Sequence, residues 1–561
     1  MNAYPAVNVQ ASAFYFLFPF TCYHKSDAAF GDMVKAIVST PTSRLVRLPM
    51  LPQVLTERVP AVSDPMWQPT DPNLSDDLHR HIALVLGRSD QSVELTPEDG
   101  KPSHASYYEL SPAARNVLSG RWGQRGSGFE VALSPSALRR LGASTAAPIS
   151  VRARIEAAHL QLFRSEIGIL ILECSYRCES GDVQFAEVIL EANYQLCRVG
   201  AAGSHSLSWA ESDDGDTSAR NNSTDGGRHH QASFSLDVIA KALVTCGAVE
   251  VDLDEDAPPL EFDWMTTTRV FSYCAVQFRH PFVDRTAYRH FAYRLCNKYT
   301  KDYSIRSESL ESSLVSTFDN VIHGASVEGG CVVVEESGVE FLNTYATNAG
   351  RRVYLPLALI SFHEFRHLLR LTQESAIHVR QKDTPERQVV KLRELQHDLI
   401  NFHLFFRFSH ASLISVHTLV HQSWRRAFSL DQMLEEVTSD VVEAEKVLSA
   451  EAARVEEAAA RQKEHRWRTW STVATWVAAY FALSHGIEIW AHKSLFDPQL
   501  QLMTLKVFNK QATVPDFEAL QQRLHQTELV LEGFAVLLAI AIAAFVYWKN
   551  PGISQKSHGS Q

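Results

Sequence analysis

The stretch Leu430–Arg468, LDQMLEEVTSDVVEAEKVLSAEAARVEEAAARQKEHRWR, contains neither Gly nor Pro and is rich in Ala, Glu, Lys and Arg, so helix propensity is high throughout. Leu434, Val437, Val441, Ala444, Leu448, Val455 and Ala458 recur at spacings of three, four or seven, a narrow apolar seam with charge around it. Such a seam calls for a second helix. Nothing stops the helix before Trp470–Trp490, WSTVATWVAAYFALSHGIEIW, which lacks Lys, Arg and Asp. At about 1.5 Å per residue it is long enough to cross about 30 Å of hydrocarbon. A second apolar stretch, Leu529–Trp548, ends in Tyr547 and Trp548 followed by Lys549, and carries Ala535, Ala539 and Ala543 as a ladder of small residues. Together they predict a two-helix transmembrane hairpin over residues 469–550, with an extracellular loop 491–528 and a cytoplasmic tail 551–561.

Arg461, Lys463, Arg466 and Arg468 precede the first predicted span, and Lys549 and Lys556 follow the second. Positive flanks predict a multi-pass protein of the cell's inner (plasma) membrane, with both termini in the cytoplasm and the lipid bilayer as a partner. The first residues, MNAYPAVNVQ, lack the basic n-region of a signal peptide. The chain has 561 residues, 45% of them hydrophobic, which is enough for more than one packed core. A net charge of −11, with no basic cluster outside the membrane flank, argues against nucleic acid as a partner. Eight scattered cysteines without a Cys-x-x-Cys read as reduced core residues.

Residues 1–149 carry many Pro and turn residues and no pattern that assigns a fold, although SAFYFLFPFTC (Ser12–Cys22) reads as a buried strand, and Leu78–Leu86 and Pro135–Leu141 as short helices. Residues 150–350 read as one α+β cytosolic domain. It opens with a hairpin of two long strands, ISVRARIEAAHLQLF and EIGILILECSYR, followed by helices over Val183–Leu196, Phe234–Thr245 and Arg285–Lys298, strands at Thr267–Phe278 and Cys331–Glu335, and a helix from Leu355. Gly200–His230 is low in apolar residues and is expected to be a disordered insertion. Glu386–Phe428 continues as a long helical pattern, so residues 351–468 form a stalk of long helices.

Several residues could carry chemistry. His363-Glu364-Phe365-Arg366-His367 is an H-E-x-x-H on a predicted helix, where His363 and His367 could bind zinc and Glu364 could polarise a bound water. His403, His410, His417 and His421 would share a helical face, as a metal-binding or pH-responsive stripe or as hydrogen-bonded residues of a bundle seam. His485, Glu488 and Glu532 are the ionisable residues within the predicted spans, and Ser471, Thr475, Ala478, Ala482 and His485 make a small or polar stripe along the first.

An α+β domain, stalk helices, two C-terminal spans and a basic tail resemble the CorA-type divalent-cation transporter superfamily. In that family the first span ends in Gly-Met-Asn; the matching place here reads His485-Gly486-Ile487-Glu488, and Gly486 agrees. The resemblance implies a homo-oligomer, a pentamer, self-associating through the stalk and spans. It also implies a transported divalent cation, with Ser471, Thr475, His485, Gly486 and Glu488 along the ion path. Three functions stand at this level: a CorA-like cation channel or transporter, a membrane-anchored cytosolic sensor or effector without ion selectivity, and a membrane-tethered zinc hydrolase using His363, Glu364 and His367.

Overall fold

Strand β1 (Asn8–Thr21) alternates Phe14, Phe16, Phe18 and Phe20 with Tyr15 and Leu17, and all six are buried, so the strand is covered on both faces. The computed structural model describes residues 8–21, 35–42, 65–88, 105–118, 128–133, 151–178, 184–200, 207–210, 235–248, 268–380, 385–495, 498–509, 518–526 and 538, apart from a few single positions inside these stretches. β1 pairs antiparallel with β6 (Ile167–Cys178) on one side and β9 (Phe271–Phe278) on the other. β5 (Val151–Phe163) joins β6 through the turn at Ser165 and Glu166, the hairpin expected from the sequence.

Among the described residues the main path of the sheet has nine strands, β10-β11-β12-β9-β1-β6-β5-β3-β2. The rest of that path is β2 (Trp67–Pro69), β3 (Ala105–Leu110), β10 (Leu314–Phe318), β11 (Val321–Ala325) and β12 (Gly329–Glu335). β12 runs parallel to β9 and the other pairs are antiparallel, so the sheet is mixed. At its sides β4 (Gly128–Val131) pairs with β5 and β8 (Leu207–Ala210), and β7 (Gln184–Phe185) pairs with β1. Strand β8 lies inside the segment expected to be disordered, of which residues 201–206 and 211–230 fall outside the described residues, as does the helix expected at Pro135–Leu141.

Register decides the two layers. Phe14 lies opposite Cys174 and Cys274, and Cys274 opposite Cys331, so these residues share a face. That face is buried with Ile189, Ile239 and Phe291 of α1 (Ala186–Cys197), α2 (Leu236–Ala248) and α3 (Arg285–Cys296). Tyr15, opposite Glu173 and Tyr273, faces the other way. There the sheet meets α4 (Leu355–Arg380) and α6 (Ser415–Ala427): Phe271 stacks on Phe362 at 4.7 Å, and Trp424 lies over Tyr273. Gly330 is required beneath Trp424, because a Cβ there would overlap the indole.

The pattern from Glu386 to Phe428 is not one helix. α5 (Pro385–Phe406) ends, and α6 begins at Ser415, after a turn in which the Ser412 hydroxyl accepts from Ile414 N and donates to the Asp77 carbonyl. A serine that offers the backbone such local bonds competes with helix. The His series is split accordingly: His403 sits on α5, His410 between the helices, and only His417 and His421 share α6.

α7 (Leu430–Leu495) fulfils the helix expectation and extends it. Leu430, Leu434, Val437, Val441 and Leu448 are buried, so the seam holds to that point, and Val455 is exposed. The chain divides into two compact units, residues 1–450 and 451–561; the second contains the rest of α7 and α8 (Pro498–Phe508). Helix α8 occupies part of the expected loop 491–528.

The membrane expectation is corrected here. Among the described residues no helix is long and apolar enough to cross a membrane. Trp470–Trp490 is helical, but Ser471, Thr472, Thr475, Ser484, His485 and Glu488 dilute its hydropathy, and a charged run precedes it. The transmembrane hairpin, the multi-pass plasma-membrane location, the bilayer as partner and the integral-membrane channel all lose their support. The α+β description also gives way, to a large mixed sheet with helices on both faces. The second expected span, Leu529–Trp548, and Glu532 within it lie outside the described residues, apart from Leu538.

Candidate functional site

The residues singled out for an ion path lie along one helix. Ser471 and Thr475 are a turn apart, with the Thr475 hydroxyl donating to the Ser471 carbonyl at 2.7 Å. His485 and Gly486 are exposed, and Glu488 lies two residues further along α7. From Ser471 to Glu488 the axial distance is about 25 Å at 1.5 Å per residue, so one chain does not bring them to a common point.

The H-E-x-x-H residues are buried on α4. His363 stacks on Phe163 at 3.9 Å, and its Nε2 is 2.6 Å from Ser165 Oγ. Two turns on, Arg370 donates to the Ser165 carbonyl and to Glu166 Oε2, both at 2.7 Å. Glu364 is gripped by Arg425 of α6, whose Nη1 lies 2.9 and 2.7 Å from its two oxygens, and whose Nη2 reaches Asp431 of α7 at 2.8 Å. Burial pushes the His363 imidazole down to about 3 and holds His367 well below its ordinary value, so both are neutral. With Glu364 turned to Arg425, and with no group of three or more His, Cys, Asp or Glu suited to a metal among the described residues, the motif does not fit a zinc site. It docks α4 on the β5–β6 turn and ties it to α6.

Two cavities lie elsewhere among the described residues, on either side of a π-helical turn, Gly350–Tyr354. π-turns recur at functional sites because the extra residue redirects side chains. Gly350 is pressed against the sheet: a Cβ there would come within 3.1 Å of Ala275 Cβ and 3.2 Å of Val332 Cγ1. The next two residues then diverge. Arg351 reaches Glu173 on β6 at 3.2 Å, whereas Arg352 Nη2 donates to the Leu74 carbonyl at 3.3 Å and its own carbonyl accepts from Ser75 N. The 70–77 segment and this turn thus separate two pockets.

The larger is an open groove of about 360 Å³, lined by Phe318, Phe341, Tyr345, Tyr354, Arg352 and His417, with Ser75, Asp77 and Asn348 at its edge. Phe341 and Phe318 remain 65% and 49% exposed. The Tyr345 and Tyr354 hydroxyls are hydrogen-bonded to each other, and Tyr354 packs between the rings of His323 (4.3 Å) and His417 (5.6 Å). Burial, and then the charge of His417, pushes His323 down to about 3, and burial raises Tyr345, so this aromatic wall is uncharged near neutrality. Ser412 is 3.2 Å from His417 Nδ1, but it also donates to the Asp77 carbonyl, so its proton is committed to the backbone and the pair is not a nucleophile and base.

Comparison with family models, curated proteins and solved structures gives no match. Of the residues forming the groove, only His417 stood out in the sequence. Arg351, Arg352, Tyr345 and Tyr354 carry no spacing motif, since strands β10 and β11, the π-turn and α6 meet only in the fold. One signal was present: Glu173 and His159 interrupt strands that are otherwise apolar (ILILECSY and AAHLQLF), and a charged group there needs a buried partner.

Proposed function

We propose that residues 1–450 form a small-molecule recognition domain, and that the aromatic groove takes a planar ring-bearing ligand whose anionic substituent meets Arg352. The observation that carries this is the groove itself. It offers about 360 Å³, within the usual range of ligand pockets, between the part-exposed faces of Phe318 and Phe341 and the Tyr345–Tyr354 pair. Exposed aromatic side chains facing a concave surface leave apolar area that a ligand would cover. Recognition is favoured over catalysis because the groove pairs neutral rings with hydrogen bonds already committed to the backbone.

A naphthalene sulfonate dye tests the proposal. Its fluorescence should rise saturably with one site per chain. Phe341→Ser, at an exposed position that the fold does not depend on, should weaken that site about tenfold, the effect of losing roughly 1.4 kcal/mol of ring burial. Arg352→Gln should weaken it too. Equal affinity of the parent chain and both variants would place the dye elsewhere and end this reading.

A further inference from the structure

On the other side of the π-turn lies a smaller and chemically different pocket. Its volume is about 90 Å³, and its walls are Tyr15, Tyr107, Glu109, His159, Gln161 and Arg351, closed by the first turn of α4 and residues 70–74. Two ion pairs stiffen these walls: Arg115 Nη2 holds Glu109 at 2.6 Å and Arg351 holds Glu173 at 3.2 Å, with His159 Nε2 3.7 Å from the same Glu173 oxygen. Burial raises the Glu173 carboxyl, but the neighbouring His159 and the Arg351 charge outweigh it and hold it below its ordinary range, so Glu173 is ionised. Tyr107 stacks on His159 at 5.6 Å, which gives the pocket an aromatic side.

Two polar atoms on residues lining this pocket find no partner among the described residues: Gln161 Oε1 and His159 Nδ1. Both side chains are almost completely buried, Gln161 at 1% and His159 at 6% exposure. Their orientation is fixed from behind. Gln161 Nε2 donates to the Leu86 carbonyl at 3.0 Å, and the flipped amide would set two oxygens against each other, so Oε1 is the atom left over. His159 turns Nε2 toward Glu173, at 3.7 Å, so Nδ1 is the ring nitrogen left without a partner. Buried acceptors without donors are costly, and native proteins leave few of them.

We infer that this pocket binds the primary ammonium head of a small amine. The head supplies N–H donors to Gln161 Oε1 and, with the imidazole neutral, to His159 Nδ1, between the rings of Tyr15 and Tyr107 and beside the Glu109 carboxylate. The volume admits a head group of a few heavy atoms. A carboxylate is the poorer partner, because it would set acceptor against acceptor at Gln161 Oε1 and because Arg351 in the wall is already paired with Glu173. The inference is independent of the aromatic groove, which shares none of these acceptors.

Methylammonium chloride titrated into the full chain, followed by calorimetry and melting temperature at matched ionic strength, is the test. Saturable binding and a rise in melting temperature are expected with methylammonium, and neither with sodium acetate. Gln161→Leu, which removes an acceptor while keeping the volume, should weaken binding about tenfold, the weight of one charge-assisted hydrogen bond. His159→Phe is the second variant and should act in the same direction, with circular dichroism confirming that both remain folded. A pocket that holds only water would give no saturable heat with methylammonium, and that result would overturn the inference, as would affinities equal in the parent and both variants.

Discussion

His323 shows what a single residue contributes to this fold. It sits on β11 with 3% exposure, and neither ring nitrogen finds a hydrogen-bond partner among the described residues. Folded His323 stays neutral down to about pH 3, while in the unfolded chain it titrates near 6.5. Between those values the unfolded state carries the extra proton, so stability falls as pH falls through that window and is fully present above it. One such group is worth about 2 kcal/mol between pH 7.5 and pH 5. His363, down to about 3, and His421, down to about 4, act with the same sign. Replacing His323 by Phe is therefore expected to shrink the loss of melting temperature on going from pH 7.5 to 5, with the other two histidines keeping the remainder. An unchanged loss would show that His323 is protonated in the folded chain.

At the scale of elements, the bracket Glu364–Arg425–Asp431 joins α4, α6 and the first turn of α7. Arg425→Leu leaves the buried Glu364 carboxylate without that cation, and breaking a buried pair from one side typically costs about 3–5 kcal/mol. The double variant Glu364→Leu with Arg425→Leu should recover most of the loss in a denaturant melt, because no charge is then stranded. Additive losses would mean that the two side chains act independently. The same residues show what was legible. The spacing of His363 and His367 correctly placed both on one helical face, and the strands Asn8–Thr21, Val151–Phe163 and Ile167–Cys178 were readable from their apolar runs. The partner of Glu364 was not readable. Arg425 lies 61 residues away, and no local rule ties the two.

For the whole molecule, α7 raises the question of assembly. Trp467, Trp470, Tyr480 and Phe481 are 74%, 71%, 71% and 64% exposed. Trp470, Val473, Val477 and Tyr480 follow the three-four spacing of a helix seam. A second copy of this chain offers the same seam, so self-association through α7 is the expected use of this surface. Light scattering on the full chain should give a multiple of 62.9 kDa, and Trp470→Glu combined with Tyr480→Glu should reduce it. A parent chain that already runs at the mass of one copy would remove this role from α7.

What the sequence determined by itself was local: the long helix of α7, the hairpin β5–β6, the buried aromatic strand β1, and the pairing of helical and extended stretches with their apolar periods. These follow from propensity and periodicity, which act over a few residues. The tertiary structure decided the rest. It placed β1 at the centre of a mixed sheet, turned Glu364 from a candidate for polarising a zinc-bound water into an ion-pair partner, and set Arg351 and Arg352 into separate pockets. A buried charge or a cavity wall is defined by what packs against it, and those neighbours are brought together by long-range burial of apolar surface, not by proximity along the chain.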